Sequence, residues 1–130
     1  MKLPPPKKKG TFTLEETIER RRSKRAYLPK KLSPEQISQL LWAAQGVSPR
    51  GKRTVPSAGG LYPLEIYLVA KEGVYHYVAQ NHELVETIHG DVLPELCRAA
   101  GDQEFLREAP VNIVIAADDR GMEGRYGKRA

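Results

Sequence analysis

An α+β fold, with helices packed on a sheet whose central strands are apolar, is what this 130-residue sequence predicts. Three features carry the prediction. Two early segments open with helix-capping signatures and the second continues at helical spacing. Two later segments, "LEIYLVA" and "VNIVIAA", are nearly unbroken apolar runs of strand length. A short "KEG" turn joins the first of these runs to a third strand-like stretch.

The elements follow in order. Residues 1–12 hold three prolines, four lysines and a glycine, the composition of an extended arm that is ordered only if it docks on something. Residues 13–130 form the domain proper. Thr13 and Glu16 make a capping box, which predicts a helix from Leu14 to about Arg21 or Arg22 with Leu14, Ile18 and Thr17 on its inner stripe. Ser33, Pro34 and Gln36 open a second helix: Ser33 is the N-cap, Pro34 takes the first turn and Gln36 closes the box. Ile37, Leu40, Leu41 and Ala44 give it an amphipathic stripe, and Gly46 fits the left-handed position that ends many helices.

Val47 to Gly60 is a loop of turn-forming and basic residues. Leu64–Ala70 reads as a strand buried on both faces and Val74–Ala79 as its hairpin partner. Asp91 caps a helix through Leu96, Cys97 and Ala100 that "DQEFLREA" continues, and Val111–Ala117 is a second buried strand.

Composition narrows the functional classes. Apolar residues make up 40% and charged residues 28%, the balance of an ordinary globular domain. No apolar run approaches the length of a membrane span, and the start, "MKLPPPKKKG", lacks the apolar stretch of a secretory signal. A single cysteine, Cys97, cannot form an internal disulfide; it suits a reducing cytoplasm and reads as a small buried hydrophobe. His76, His82 and His89 have no Cys, His or carboxylate at ligand spacing, so no metal is expected. Phosphate-loop and dinucleotide glycine signatures are absent too.

The net charge of +5 is unevenly spread. Residues 1–53 hold 14 Lys/Arg against 4 Asp/Glu, or +10, and residues 54–130 hold 7 against 12, or −5. The basic half peaks at "RRRSKRAY", Arg20 to Tyr27, with five cations in eight positions. Arg21 and Arg25 share a face in a helix or a strand, and Ser23 joins them only if the backbone is extended. That arrangement suits a phosphate, with bidentate guanidiniums and a neutral hydroxyl donor. It equally describes a solvated helix end, where arginine complements the helix dipole, or a nucleic-acid patch. Nucleic acid is the least supported of the three, because Tyr27 is the only nearby aromatic and no reading motif is present. "PSAGG", Pro56 to Gly60, is a loop of small residues that lets a backbone approach a flat ligand, or is simply a turn before a strand.

Taken in order, "RRRSKRAY", "LSPEQISQLLWAAQG" and "RTVPSAGGLYPLEIYLVA" resemble the N-terminal half of the flavin-dependent nitroreductase family. Within it they are most similar to the dehydrogenases that oxidise azolines to azoles in peptide natural products. The resemblance runs from about Thr13 to Arg129. It implies a nitroreductase-like α+β fold on a mainly antiparallel sheet, FMN as cofactor, NAD(P)H as hydride donor and a ping-pong cycle. It assigns Arg21, Arg22, Ser23 and Arg25 to the phosphate and ribityl end of FMN. It sets Pro56, Ser57, Ala58, Gly60 and Tyr62 along the flavin, commonly from the other subunit of an interlocked homodimer. Nitroreductases often carry asparagine where Gly60 stands. Tyr62 is the candidate substrate-facing or proton-donating group.

"GRYGKRA" matches the start of the family's next motif. The dimer's long central helix, a later glycine-containing loop and the C-terminal basic residues of the phosphate site would follow it. The chain is thus expected to be a fragment, a split subunit with a C-terminal partner segment, or a minimal relative. The expected substrate is a small molecule or a peptide-derived heterocycle, with no membrane involved. The rival readings are a non-catalytic remnant serving as a binding or assembly module and, behind it, a basic nucleic-acid-binding protein.

Overall fold

The computed structural model describes residues 1–118 and 120–127. The last residues of "GRYGKRA", and with them the end of the resemblance at Arg129, lie outside the described residues. The elements run α1 (Leu14–Arg20), α2 (Pro34–Gln45), β1 (Leu64–Ala70), β2 (Gly73–Val78), β3 (Glu83–His89), α3 (Leu93–Ala99), α4 (Phe105–Glu108), β4 (Asn112–Ala117) and α5 (Arg120–Tyr126). The four strands form one antiparallel sheet in the order β3-β2-β1-β4. This is the α+β architecture the sequence predicts. Among the described residues no helix is long and apolar enough to cross a membrane.

Alternation along the central strands divides the core between the two faces of the sheet. Ile66 and Leu68 of β1, Tyr77 of β2 and Leu84 of β3 pack with Leu41 of α2 on one face. Val69 and Val74 pack with Leu93 of α3 on the other. The inner half of β1 is therefore buried on both sides, as its apolar run requires.

Both capping boxes form. Thr13 Oγ1 accepts from the Glu16 N–H while Glu16 accepts from the Thr13 N–H, and Ser33 and Gln36 repeat the exchange. Leu41, Ile37 and Ala44 of α2 meet the core, whereas Leu40 is 46% exposed and the polar Ser38 and Gln45 are buried.

The proline-rich arm docks. Its Leu3 enters the core beside α2, Lys2 bridges Glu83, and the N–H groups of Leu3 and Leu84 bond to the carbonyls of His82 and Met1. Beneath it lies a closed polar network. Ser38 Oγ donates to the Pro4 carbonyl at 2.6 Å and lies 2.8 Å from His82 Nε2, and His82 Nδ1 lies 2.8 Å from the Tyr77 hydroxyl. Counting hydrogens, a neutral His82 carrying its proton on Nε2 satisfies every member, with Tyr77 donating to Nδ1.

Several sequence expectations are corrected. α1 has no buried residue: Leu14 is 70% and Ile18 65% exposed, so the stripe exists but nothing among the described residues covers it. Gly46 is not left-handed, having φ −65° and ψ 170°. Glycine is needed there because a Cβ would come within 2.2 Å of the Trp42 ring. Asp91 accepts from the Leu93 N–H at 3.0 Å from one position before the cap, which is Val92 and makes no side-chain cap bond. The helix it starts ends at Ala99, and Gly101 and Asp102, both at positive φ, separate it from the single turn of α4. β4 is an edge strand rather than a buried one, with Ile115 59% exposed. β3 is a strand where none was expected, because only Leu84 of its seven residues is buried and no alternation marks it.

Candidate functional site

The two stretches singled out by sequence lie at opposite ends of one strand. After α1 the backbone at Arg21 turns extended (φ −58°, ψ 124°), and residues 21–30 run as an exposed, irregular segment. Arg22 Nη1 donates to the carbonyls of Glu19 and Arg21, both at 2.7 Å, and the Arg25 guanidinium sits 5.9 Å over the Phe105 ring of α4. Arg22 thus folds back on the end of α1 while Arg25 reaches towards α4. No ion pair among the described residues ties Arg21, Arg22 or Arg25 to a carboxylate, and all three residues are exposed.

The segment then passes the far end of β1. Lys31 Nζ pairs with Glu72 at 2.8 Å, and Leu28, Lys30 and Lys31 line a groove with Glu72, Arg107 and Pro110. The contact holds the Glu72 carboxyl below its ordinary range and raises the Lys31 ammonium.

The Pro-Ser loop enters β1 at its other end. Ala58–Gly60 form a single 3₁₀ turn in which Gly59 and Gly60 adopt φ 60° and 69°. Tyr62 is also left-handed at φ 50°, which costs a non-glycine residue about 1–2 kcal/mol. Ser57 offsets part of that cost: its Oγ accepts the Tyr62 N–H at 2.9 Å, leaving its own proton free to donate. Pro56, Ala58 and Gly60 are exposed, Ser57 and Tyr62 half-buried, and no atom lies within 4 Å of a Cβ built on Gly60. The loop surface is open, as close approach by a flat ring demands.

Two contacts from further along the chain fix this end. The Asp118 N–H donates to the Pro63 carbonyl at 2.8 Å, and Arg125 of α5 donates to the Gly59 carbonyl at 3.3 Å. Arg120 holds the exposed Asp118 carboxyl down to about 2.

Register gives the separation. Leu64 opposes Ala117 at the loop end and Val69 opposes Asn112 near the Glu72 end. The five steps from Leu64 to Val69 span about 17 Å. Among the described residues, no hydrogen bond or ion pair joins Arg21, Arg22, Ser23 or Arg25 to Pro56, Ser57, Ala58, Gly60 or Tyr62.

Residues 18–130 match the nitroreductase family. The chain belongs to that family. A protein of Methanocaldococcus jannaschii named "putative nitroreductase" is 41% identical over 123 residues, covering 89% of this chain and 62% of its own length. A crystal structure titled a "putative nitroreductase" from Ralstonia eutropha matches with a TM-score of 0.85 at 31% identity, over 97% of this chain and 59% of that one. A second, so titled, from Anabaena variabilis matches with a TM-score of 0.64 at 30% identity, over 69% of this chain and 21% of that one. The chain thus spans about three-fifths of the length of the first two relatives.

Nitroreductases are generally flavin-dependent, and the donor set here fits such a group. Exposed guanidiniums and the Ser23 hydroxyl suit a phosphate, and an open glycine-containing turn suits a planar ring. Sequence reasoning missed Phe105, Arg125 and Arg53. The first two are distant in the chain and carry no local signal. Arg53 opens the "RTVPSAGG" stretch, yet only the fold brings its guanidinium to 6.0 Å from the Tyr62 ring. The histidines do gain carboxylate neighbours, Glu65 on His76 at 2.6 Å and Glu86 on His89 at 2.7 Å. Among the described residues, however, no three His, Cys, Asp or Glu side chains stand close enough to hold a metal.

Proposed function

We propose that this nitroreductase-family chain serves an FMN-dependent oxidoreductase that takes hydride from NAD(P)H, its site shared between two copies of the chain. The observation that carries this reading is the placement of two complementary half-sites at opposite ends of β1. A ligand meeting both within one chain would have to span the length of β1, about 17 Å between Leu64 and Val69. Two copies related by a two-fold axis set the arginine end of one beside the loop end of the other, so a homodimer assembles the site twice.

In that arrangement Arg21, Arg22 and Arg25 bind and neutralise the FMN phosphate, and Ser23 donates to it. Ala58 and Gly60 of the partner copy let the ring lie against the backbone, with Pro56 and Ser57 at its edge. Bound FMN supplies the hydride chemistry, while the protein supplies orientation and charge. Tyr62, half-buried beside the open turn, has a phenol suited to hydrogen-bond or protonate a substrate above the ring. The acceptor is a small organic molecule. The likeness of "PSAGGLYPLEIYL" to the azoline-oxidising branch points to peptide-derived heterocycles. The protein would work in a reducing cytoplasm, where its lone thiol Cys97, buried in α3 and pushed up by that burial, stays protonated.

A visible spectrum of the purified protein, followed by heat release and chromatography of the cofactor, tests the reading. FMN is expected, since the arginine cluster comes with no adenosine-binding fingerprint. FAD, or no flavin uptake on reconstitution, would refute it.

A further inference from the structure

The long connection from α2 to β1 is anchored at Arg53 and Thr54. Val47 and Arg53 form an antiparallel bridge, and the Ser48 N–H bonds to the Lys52 carbonyl at 2.7 Å, so residues 47–53 fold back on themselves. Thr54 closes this hairpin against the helix, its N–H on the Gly46 carbonyl and its hydroxyl on the Trp42 carbonyl at 3.0 Å. Arg53 reaches three ways from there. Its Nη1 donates to the Gln45 carbonyl at the end of α2 at 3.2 Å, where a cation also complements the helix dipole. Its charge is felt by the buried Tyr77, whose raised hydroxyl it partly offsets. Its guanidinium faces the Tyr62 ring at 6.0 Å.

Tyr62 is where the loop needs holding. It is a non-glycine residue in a left-handed conformation at the hinge between the open 3₁₀ turn and β1, and such a residue persists only when its surroundings over-determine it. Ser57 holds its N–H from the loop side, and the guanidinium holds its ring from the core side.

We infer that Arg53 is a positioning residue for the flavin-facing loop, clamping the Tyr62 ring to the end of α2 so that Pro56 to Gly60 are presented in one conformation. The role in flavin binding rests on the function proposed above; the clamp itself does not. Arginine suits the position because its several donors let one guanidinium bond the Gln45 carbonyl while its charge stays near the Tyr62 ring.

The test compares Arg53→Gln, Tyr62→Phe, Tyr62→Leu and the double variant Arg53→Gln/Tyr62→Leu in flavin-free protein by amide hydrogen exchange. The amide at position 62 is followed against the β1 amides of Ile66 and Leu68. Arg53→Gln is expected to speed exchange at position 62 about two- to fivefold, from loss of the cation–π contact, while the β1 amides hold. Tyr62→Phe should match wild type because the ring remains. Tyr62→Leu should behave like Arg53→Gln, and the double variant should add nothing further, since both break one contact.

FMN titration then follows the same set, with Arg53→Gln weakening binding by a similar factor. Equal acceleration at position 62 and in β1 would overturn the clamp and leave Arg53 as a helix cap, as would additive effects in the double variant. If exchange responds as expected but wild type takes up no FMN, the clamp stands and the flavin reading fails.

Discussion

Mixing two inactive variants should restore a quarter of the flavin sites, if the site is shared between copies. Arg25→Ala removes a charge-assisted phosphate contact, expected to weaken FMN by about 1.5–3 kcal/mol, or roughly 10- to 100-fold. The fold should survive, because Arg25 is exposed and its one contact among the described residues is the Phe105 ring at 5.9 Å. Gly60→Val disables the other half-site. A β-branched residue at φ 69° is strained, and its side chain would project into the open space the ring needs. Gly60 is exposed, so this damage also stays outside the core.

In a two-fold dimer each site takes the arginines of one copy and the loop of the other. Homodimers of either variant carry one defect in both sites. A mixed dimer concentrates both defects in one site and leaves the other intact. Random reassortment makes half of the dimers mixed, so about one quarter of all sites recover. The variants are co-refolded in equal amounts, dimer content is checked by sedimentation, and bound FMN per chain is read from the visible spectrum. Recovery near a quarter of the wild-type value supports the shared site. No recovery in a preparation shown to be dimeric would mean that each site is built within one chain, and the reasoning from β1 would be wrong.

Two further outcomes test the fold. Gly46→Ala should destabilise by about 1–3 kcal/mol although the backbone there is ordinary for any residue, because the added methyl overlaps the Trp42 ring; a denaturant midpoint equal to wild type would refute the close approach. Burial raises the Tyr77 hydroxyl above its ordinary value near 10, so the folded state holds that proton more tightly than the unfolded one, and the stabilisation is present below about pH 10 and lost as pH rises through the folded value. The advantage of wild type over Tyr77→Phe in urea should therefore hold up to about pH 9 and shrink as pH rises past about 10, and a constant gap would refute the assignment.

What was legible in the sequence was what is local. The capping boxes of α1 and α2 are written within four residues each, and both form. The twofold alternation of β1 against two hydrophobic layers was readable as an apolar run. The arginine-serine and Pro-Ser stretches were visible as motifs for the same reason. What failed was cover, which is not local. Helical spacing put Leu14 and Ile18 on one face but could not say whether anything lies against it. The apolar run of β4 could not show that the strand is an edge. β3 was missed from the opposite side: Glu83 and Glu86 flank its one buried residue, so the pairing that makes it a strand comes from β2 and leaves little mark of its own. Arg53 and the His82 network likewise depend on contacts that only folding creates.

These failures of cover are themselves informative about the site. Leu64 and Ile115, exposed at 37% and 59%, lie at the end of the β1–β4 pair that also carries the Pro-Ser loop. Leu14 and Ile18 are bare on the helix that leads into the arginine stretch. Apolar surface is thus left open beside each half-site, and contiguous apolar surface of that kind marks an interaction face in a folded domain. A second copy placed to complete the flavin site would bring these same regions together, so one contact would both assemble the site and bury the surface. That yields a condition the mixing experiment alone does not impose. Ile115→Lys, remote from the arginines and outside the loop, should weaken dimerisation and FMN uptake together. If it weakened FMN uptake with the dimer intact, Ile115 would belong to the ligand rather than to the interface, and the two half-sites would have to be joined by some other surface.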